Sequence, residues 1–424
     1  MNTGLILAAP SSGSGKTTIT LGLLRALKRR GVLMRGAKSG PDYIDPRFHE
    51  AACGQPCMNL DAWAMSPARI KWMASGDGML LIEGAMGLFD GAPPDGKGAT
   101  ADLARVLGLP VVLVVDAAKM AQSIAPLVSG FARHDPDVRV AGVILNNIGS
   151  ARHETMLRRA LENTGLPVVG ALHRQSGLSH PSRHLGLVQA AERPDLDAYL
   201  DQVADVVEHS MDMDVIVRLA GSLNPHHAAT VFAPPAQRIC IAQDKAFAFT
   251  YPHLLADWRS KGAEIAHFSP LADQAPDNAA DLIILPGGYP ELYAGQLAGN
   301  QTFKSAMIKA AETTAIYGEC GGYMTLGETL IDADGQPHKM LGLLPLATSF
   351  QTRKLHLGYR KLTALAGPFS GKLMGHEFHY ATTIRADGQP LFDTKDAEDN
   401  DLGPTGLVQG KVAGSFAHII DAAV

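Results

Sequence analysis

Short apolar runs alternate with stretches of helical period through the first half of the chain. GLILAAP is followed by KTTITLGLLRALKRRG, LPVVLVVDAA by AQSIAPLVSGFAR, and VRVAGVILNNI by ETMLRRALENTG, with MLLIEGAMG standing between the first two pairs. Apolar runs without polar alternation fit strands buried on both faces. Strands alternating with helices imply right-handed crossovers and a mainly parallel sheet covered on both sides. LPVVGALHR reads as one more strand of that sheet. From about Leu185 to Met211 the pattern turns helical and charged, and NPHHAATVFAPPAQ, residues 224–237, then brings in proline and small residues. That segment is the expected linker.

The rhythm restarts with RICIAQD, FTYPHLLADWRSKGAEIAHFSP and DLIILPGGYPE, the start of a second α/β unit. AIYGECGGYMTLGE follows as a strand entering a tight turn and a helix. The tail, through KLHLGYRKLTAL, GHEFHYATTIR and GLVQGKVAGSFAHI, is rich in β-formers and is expected to add strands to the second sheet. The fold class is therefore α/β: a parallel-sheet domain over 1–225, then a second α/β domain over 237–424.

Length agrees with that division, since 424 residues exceed one ordinary hydrophobic core. Hydrophobic residues at 46% and charged residues at 19% describe a globular chain with little room for disorder. A formal charge of -5 argues against a general nucleic-acid binder, and the densest basic cluster, Lys28-Arg29-Arg30, closes an amphipathic helix. The apolar runs fall well short of the ~20 residues of a membrane span. MNTGLILAAP lacks the basic start and long apolar core of a secretion signal, so a cytoplasmic protein without a membrane partner is expected. Four cysteines in such a chain do not suggest a disulfide framework.

Residues 9–18, APSSGSGKTT, follow a predicted strand and open a predicted helix, the setting a phosphate loop needs. Gly13, Ser14 and Gly15 can turn backbone N–H groups toward phosphate oxygens, Lys16 supplies charge, and Thr17 can hold magnesium beside Thr18. In the standard G-x-x-x-x-G-K-S/T spacing the first glycine would fall at Pro10. Asn146, at the end of VRVAGVILNNI, joins the nucleotide set. Glu83 ends the strand MLLIEG, Asp90 lies in the following GAMGLFDG, Asp116 ends LPVVLVVD, and Asp42 and Asp45 sit in SGPDYIDP. In an open α/β sheet the ligand lies outside the carboxyl ends of the strands, where Glu83 and Asp116 would project. Magnesium takes one or two carboxylates plus phosphate oxygens, which makes Thr17, Asp42 and Glu83 the expected metal set. Asp42 and Asp45 can equally be turn residues beside Pro41 and Pro46.

Gly318-Glu319-Cys320-Gly321-Gly322 has the G-x-C-x-G form of a nucleophile elbow. The sharp turn exposes sulfur, and the helix N-terminus favours the thiolate. LPGGYPE, 285–291, ends another strand with two glycines whose N–H groups can form an oxyanion hole. His418 in GSFAHII is the expected base, with His376 and His379 of GHEFHY as competitors. Cys53 and Cys57, in CGQPC, have loose metal-ligand spacing without a second pair, and Cys240 reads as core.

Taken in order, APSSGSGKTT, SGPDYIDP, EGAMGLFDG, LPGGYPE, YGECGGYM, GHEFHY and GSFAHII closely resemble the cobyrinic or hydrogenobyrinic acid a,c-diamide synthases of cobalamin biosynthesis. The resemblance runs from Gly4 to His418. It implies a dethiobiotin-synthetase-like ATP domain, in which the departure at Pro10 also occurs, joined to a flavodoxin-like class I glutamine amidotransferase domain. By resemblance Cys320 and His418 map onto the glutaminase pair, and Asp42, Asp45, Glu83 and Asp90 onto the acidic residues of the synthetase site. The implied cofactors are ATP and Mg2+, and the implied partners a corrin-type polycarboxylate and L-glutamine. Many class I enzymes carry glutamate two residues after the histidine, whereas Ile420 stands here, with Asp421 one further on. A Cys-His pair is expected, its histidine oriented by a carbonyl or another carboxylate. Cobyric acid synthase and nickel-sirohydrochlorin a,c-diamide synthase are the neighbouring activities, and a P-loop regulatory ATPase is the reading from another class. Ammonia is mostly protonated in neutral water, so a sheltered path between domains is expected. A homodimer is the default assembly.

Overall fold

The computed structural model describes residues 2–175, 182–183, 186–224, 226 and 230–423. The chain divides into two compact units, Met1–Thr230 and Val231–Val424. Within the expected linker, residues 225 and 227–229 lie outside the described residues, as does Leu185, where the helical pattern was expected to begin.

The first unit is built on strands β1 (Thr3–Ala8), β2 (Met34–Ser39), β3 (Met58–Leu60), β4 (Met79–Glu83), β5 (Val111–Asp116), β6 (Val140–Ile148) and β7 (Val168–His173). Their order is β3-β2-β4-β1-β5-β6-β7, and every neighbouring pair is parallel. β7 is the strand LPVVGALHR. Gly221–Ser222 adds a short antiparallel partner to β1. The inner strands are buried along nearly their whole length, with Asp116 at the end of β5 exposed, which is why their sequences show no alternation. Helix α1 (Lys16–Arg29) leaves β1 through the glycine-rich turn and packs against helix Leu196–Ser210. A Cβ on Gly22 would come within 2.4 Å of Val207 Cγ2, so glycine sets the closeness of these helices. Arg25 reaches Asp201, and Arg29 reaches Asp205, each at 2.8 Å. Because β1 lies between β4 and β5, the loops after these three strands gather at one end of the sheet, where doubly wound folds bind ligands.

The second unit holds a six-stranded sheet in the order Glu264–Phe268, Arg238–Ala242, Leu282–Leu285, Ala315–Glu319, Val412–Ser415, Leu407–Gln409. All contacts are parallel except the last. Numbered along the chain this gives the flavodoxin-like order 2-1-3-4 for the first four strands. Only part of the tail joins that sheet. His356–Ala364, Lys372–His379, Phe392–Lys395, Asp401–Thr405 and His418–Ala422 form a separate antiparallel sheet, and Thr382–Ala386 belongs to a four-stranded one. Local pairing explains the difference from the expected single sheet. His356–Ala364 and Lys372–His379 are joined by the loop 365–371 and pair along eight residues, so they satisfy each other's backbone before any edge of the parallel sheet is needed.

Candidate active sites

In the first unit the turn between β1 and α1 carries the phosphate-loop residues. Gly15 is the N-cap of α1 in the left-handed region, with φ at 89°, and a Cβ there would meet Asn146 Nδ2 at 2.2 Å. Asn146 in turn donates from Nδ2 to the Ser14 carbonyl at 2.9 Å, so the end of β6 braces the loop. The Ser14 hydroxyl closes the turn on the Ser11 carbonyl at 2.9 Å, and Gly13 also has positive φ. Thr18 meets the Tyr199 hydroxyl on the neighbouring helix. Lys16 folds back and donates to the Met86 carbonyl at 2.6 Å, in the loop after β4. Burial lowers its pKa against the pull of Glu83.

Behind the loop lies a buried polar cluster. The Thr17 hydroxyl donates to Glu83 Oε1 at 2.6 Å and lies 3.4 Å from Asp45 Oδ2. Lys38, near the end of β2, places Nζ 2.6 Å from Asp45 Oδ2 and 2.7 Å from Glu83 Oε1. On the far side of Glu83, His49 Nε2 stands 2.6 Å from Oε2, while Cys57 Sγ lies 3.4 Å from His49 Nδ1. Burial works against every charge here. Lys38 and His49 nevertheless hold the Glu83 carboxylate far below the usual range, and Asp45 and Glu83 raise Lys38. Asp42 is pushed up to about 7 by burial and by Asp45 beside it. Its Oδ1 accepts from the N–H groups of Ile44 and Asp45, at 2.7 and 3.2 Å, so the same side chain shapes the entry to helix α2 (Asp45–Cys53).

The remaining acidic candidates are placed differently. Asp90 Oδ2 accepts from Gly87 N at 3.0 Å and closes the GAMGLFDG loop. Asp116 is exposed and accepts from Asn147 Nδ2 at 3.1 Å. Of the two aspartates in SGPDYIDP, Asp45 is the one beside Thr17. Its Oδ1 is buried and accepts no hydrogen bond among the described residues. Thr17, Glu83 and Asp45 thus offer a hydroxyl and two carboxylates, oxygen donors of the kind a magnesium ion uses with phosphate oxygens. Lys38 and His49 were not singled out in the sequence. A lysine directly before SGPDYIDP, near the end of the strand MRGAKS, is the available signal.

In the second unit Cys320 links strand Ala315–Glu319 to helix Gly321–Leu326 with φ 46° and ψ −101°, a strained conformation for a side-chain-bearing residue. The flanking glycines permit the turn, since a Cβ on Gly322 would fall 1.8 Å from the Leu285 carbonyl. His418 is buried and hydrogen-bonds to Cys320. Burial alone would depress its pKa, but the Cys320 sulfur and the Glu319 carboxylate reverse that and push it up to about 10. An imidazolium therefore stands against the sulfur. Gly287 lies against the Cε1 edge of the ring, where an added Cβ would meet His418 Cε1 at 2.3 Å. Gly288 N is 3.1 Å from where a Gly321 Cβ would stand, which brings that amide beside the elbow. His376 pairs through Nε2 with the Tyr251 hydroxyl at 2.9 Å and stacks on His418 with ring centres 5.0 Å apart. Burial and the His418 charge keep it neutral. His379 stacks between His356 and Phe416. Cys320 is itself buried, against the expectation that the turn exposes its sulfur, and Cys53, Cys57 and Cys240 are buried thiols as well, Cys240 within the core of the second unit.

Residues 5–188 match the model of the CobQ/CobB/MinD/ParA nucleotide binding domain, and residues 238–423 that of the CobB/CobQ-like glutamine amidotransferase domain. Hydrogenobyrinate a,c-diamide synthase of Rhizobium meliloti (strain 1021) is 54% identical over 425 residues, covering 99% of both chains. The proteins of that name from Brucella suis biovar 1 (strain 1330) and Mesorhizobium japonicum are 55% and 52% identical. These alignments cover 99% and 98% of this chain and 98% of each relative. At this identity over nearly the whole length, the chain belongs to the hydrogenobyrinate a,c-diamide synthase family.

Proposed function

We propose that the chain amidates the a and c acetate carboxylates of hydrogenobyrinic acid, using ATP and ammonia released from glutamine, in cobalamin biosynthesis. The observation that carries this reading is the presence on one chain of a phosphate loop backed by the Lys38–Asp45–Glu83 cluster and of a cysteine elbow paired with a histidine.

A carboxylate is a poor acceptor for ammonia. Its oxygen therefore attacks the γ-phosphorus of ATP, the bond to the bridging oxygen breaks, and ADP leaves behind an acyl phosphate. Ammonia then adds to the acyl carbon and inorganic phosphate departs. Lys16, freed from the Met86 carbonyl, and Lys38 behind it set positive charge against the transferring group. Thr17, Glu83 and Asp45 would hold magnesium with the nucleotide, and the ion when bound neutralises phosphate charge. In the second unit the Cys320 sulfur attacks the side-chain amide carbon of glutamine, and the Gly288 amide beside the elbow would receive the developing oxyanion. The His418 imidazolium gives its proton to the departing ammonia. The neutral ring then takes a proton from the water that hydrolyses the thioester to glutamate. Among the described residues no helix is long and apolar enough to cross a membrane. We assign the enzyme to the cytoplasm, as a homodimer.

Mass spectrometry of reactions with ATP, magnesium and glutamine tests the reading, with hydrogenobyrinic and cobyrinic acids offered separately. Two successive losses of about 1 Da from hydrogenobyrinic acid are expected, one for each hydroxyl replaced by an amino group. Unchanged rings with ATP still consumed would overturn it.

A further inference from the structure

A cysteine–histidine pair works best when a carboxylate fixes the ring through its second nitrogen and balances the imidazolium. Ile420 cannot do this, and its carbonyl is engaged by His253 Nε2 at 2.8 Å. A different carboxylate stands at the ring. Glu319 Oε2 lies 3.7 Å from His418 Nδ1, while Oε1 of the same carboxylate accepts from Ile419 N at 3.3 Å. The second contact fixes the carboxylate on the strand that carries the histidine. Glu319 immediately precedes the nucleophile, and its strand pairs with Val412–Ser415, Glu319 opposite Ser415. Cys320 N donates to the Ser415 carbonyl at 2.8 Å. Backbone pairing therefore sets the position of the Glu319 main chain as firmly as that of Cys320.

Resting on the glutaminase reading above, the geometry points to Glu319 as the positioning residue of that site, orienting the His418 ring and balancing its charge from the nucleophile's own strand. A separation of 3.7 Å is an ion-pair distance, longer than a hydrogen bond, and such contacts in ligand-free sites commonly tighten when substrate binds. Other groups around the ring include Cys320 of the same elbow, Gly287, Phe249, and His376 of strand Lys372–His379 with Tyr251 behind it, and the charge of His418 is also felt at His379. Asp421 is the rival. An irregularity in the pairing sets it opposite Met374, while His418 is opposite His376, so the two share a face of strand His418–Ala422.

Three variants of the full chain decide between them: Glu319→Gln, Glu319→Asp and Asp421→Asn. Glu319→Gln keeps the acceptor for Ile419 N and removes the charge. It should lower glutaminase kcat by about 10²-fold with KM for glutamine nearly unchanged. Amidation driven by ammonium salts should persist, which shows that the chain is folded. The alkaline limb of the glutaminase pH profile, where the imidazolium loses its proton, should move to lower pH, and Glu319→Asp should restore part of the rate. A Glu319→Gln enzyme with unaltered kcat and alkaline limb would overturn the assignment. So would a loss confined to Asp421→Asn. Glutamine-dependent turnover surviving in Cys320→Ala would sink the glutaminase reading itself, and this assignment with it.

Discussion

Lys38 Nζ and Glu83 Oε1 are 2.7 Å apart and both side chains are buried. The ammonium also reaches Asp45, so one cation serves two carboxylates directly behind the phosphate loop. Removing one member of a buried ion pair strands its partner in a poorly solvating interior, at about 3–5 kcal/mol. Lys38→Met should destabilise the first unit by that order, read as an earlier urea transition. At temperatures where the variant stays folded, it should still lose amidation with both glutamine and ammonium salts.

Asp42 makes the cluster sensitive to pH. Its folded pKa, pushed up to about 7 from 3.8, means that the folded chain keeps a proton the unfolded chain has released. That contribution to stability is complete below the unfolded value and disappears as pH rises through the folded one. Asp42→Asn retains the acceptor for Ile44 N and Asp45 N but cannot ionise. Between pH 6 and pH 8 the wild type should lose about 1 kcal/mol relative to this variant, measured by urea denaturation at each pH. Equal dependence in both would show that Asp42 does not titrate in this window.

Gly287 is a spacing residue for the glutaminase pair. A methyl group there would stand 2.3 Å from His418 Cε1, at the edge of a ring whose face is stacked on His376. Gly287→Ala must displace the histidine. Displacements of about 1 Å in such groups reduce rates by about 10²-fold. Glutamine-dependent amidation should fall accordingly while ammonium-driven amidation remains. Equal loss of both would place the damage outside the glutaminase pair.

Much of this was legible because local chemistry and global fold agree. Buried parallel strands announce themselves as unbroken apolar runs, and the glycine spacing of APSSGSGKTT and YGECGG is imposed by turns that exclude a Cβ. Partners brought together from distant sequence were harder to see. Glu83 alone meets Thr17, Lys38 and His49, and no spacing rule reveals that convergence. Glu319 carries no such signal, because motif spacing points to the residues after His418 for a third carboxylate, whereas the sheet brings the elbow strand to the same ring. The extra antiparallel sheet was missed for a related reason: β-forming composition identifies strands without saying which partner an edge will take.

Thr17 permits a test of the magnesium assignment that does not depend on the ring substrate. Its hydroxyl donates to Glu83 Oε1 at 2.6 Å and lies beside Asp45, whose Oδ1 accepts no hydrogen bond among the described residues. Magnesium demands near-octahedral oxygen ligation and dehydrates reluctantly, so the loss of one protein oxygen weakens it sharply. Thr17→Val preserves the shape of the side chain and removes that oxygen, whereas Thr17→Ser keeps it. In titrations of magnesium at fixed ATP, Thr17→Val should need at least about tenfold more metal for half-maximal ammonium-driven amidation, a change of ~1.4 kcal/mol. Thr17→Ser should stay close to wild type. Chelation with excess EDTA should stop amidation in all three proteins and leave glutamine hydrolysis running, since the cysteine elbow works without metal in this mechanism. Identical magnesium requirements in Thr17→Val and wild type would remove Thr17 from the metal set and leave Glu83 and Asp45 as its protein ligands.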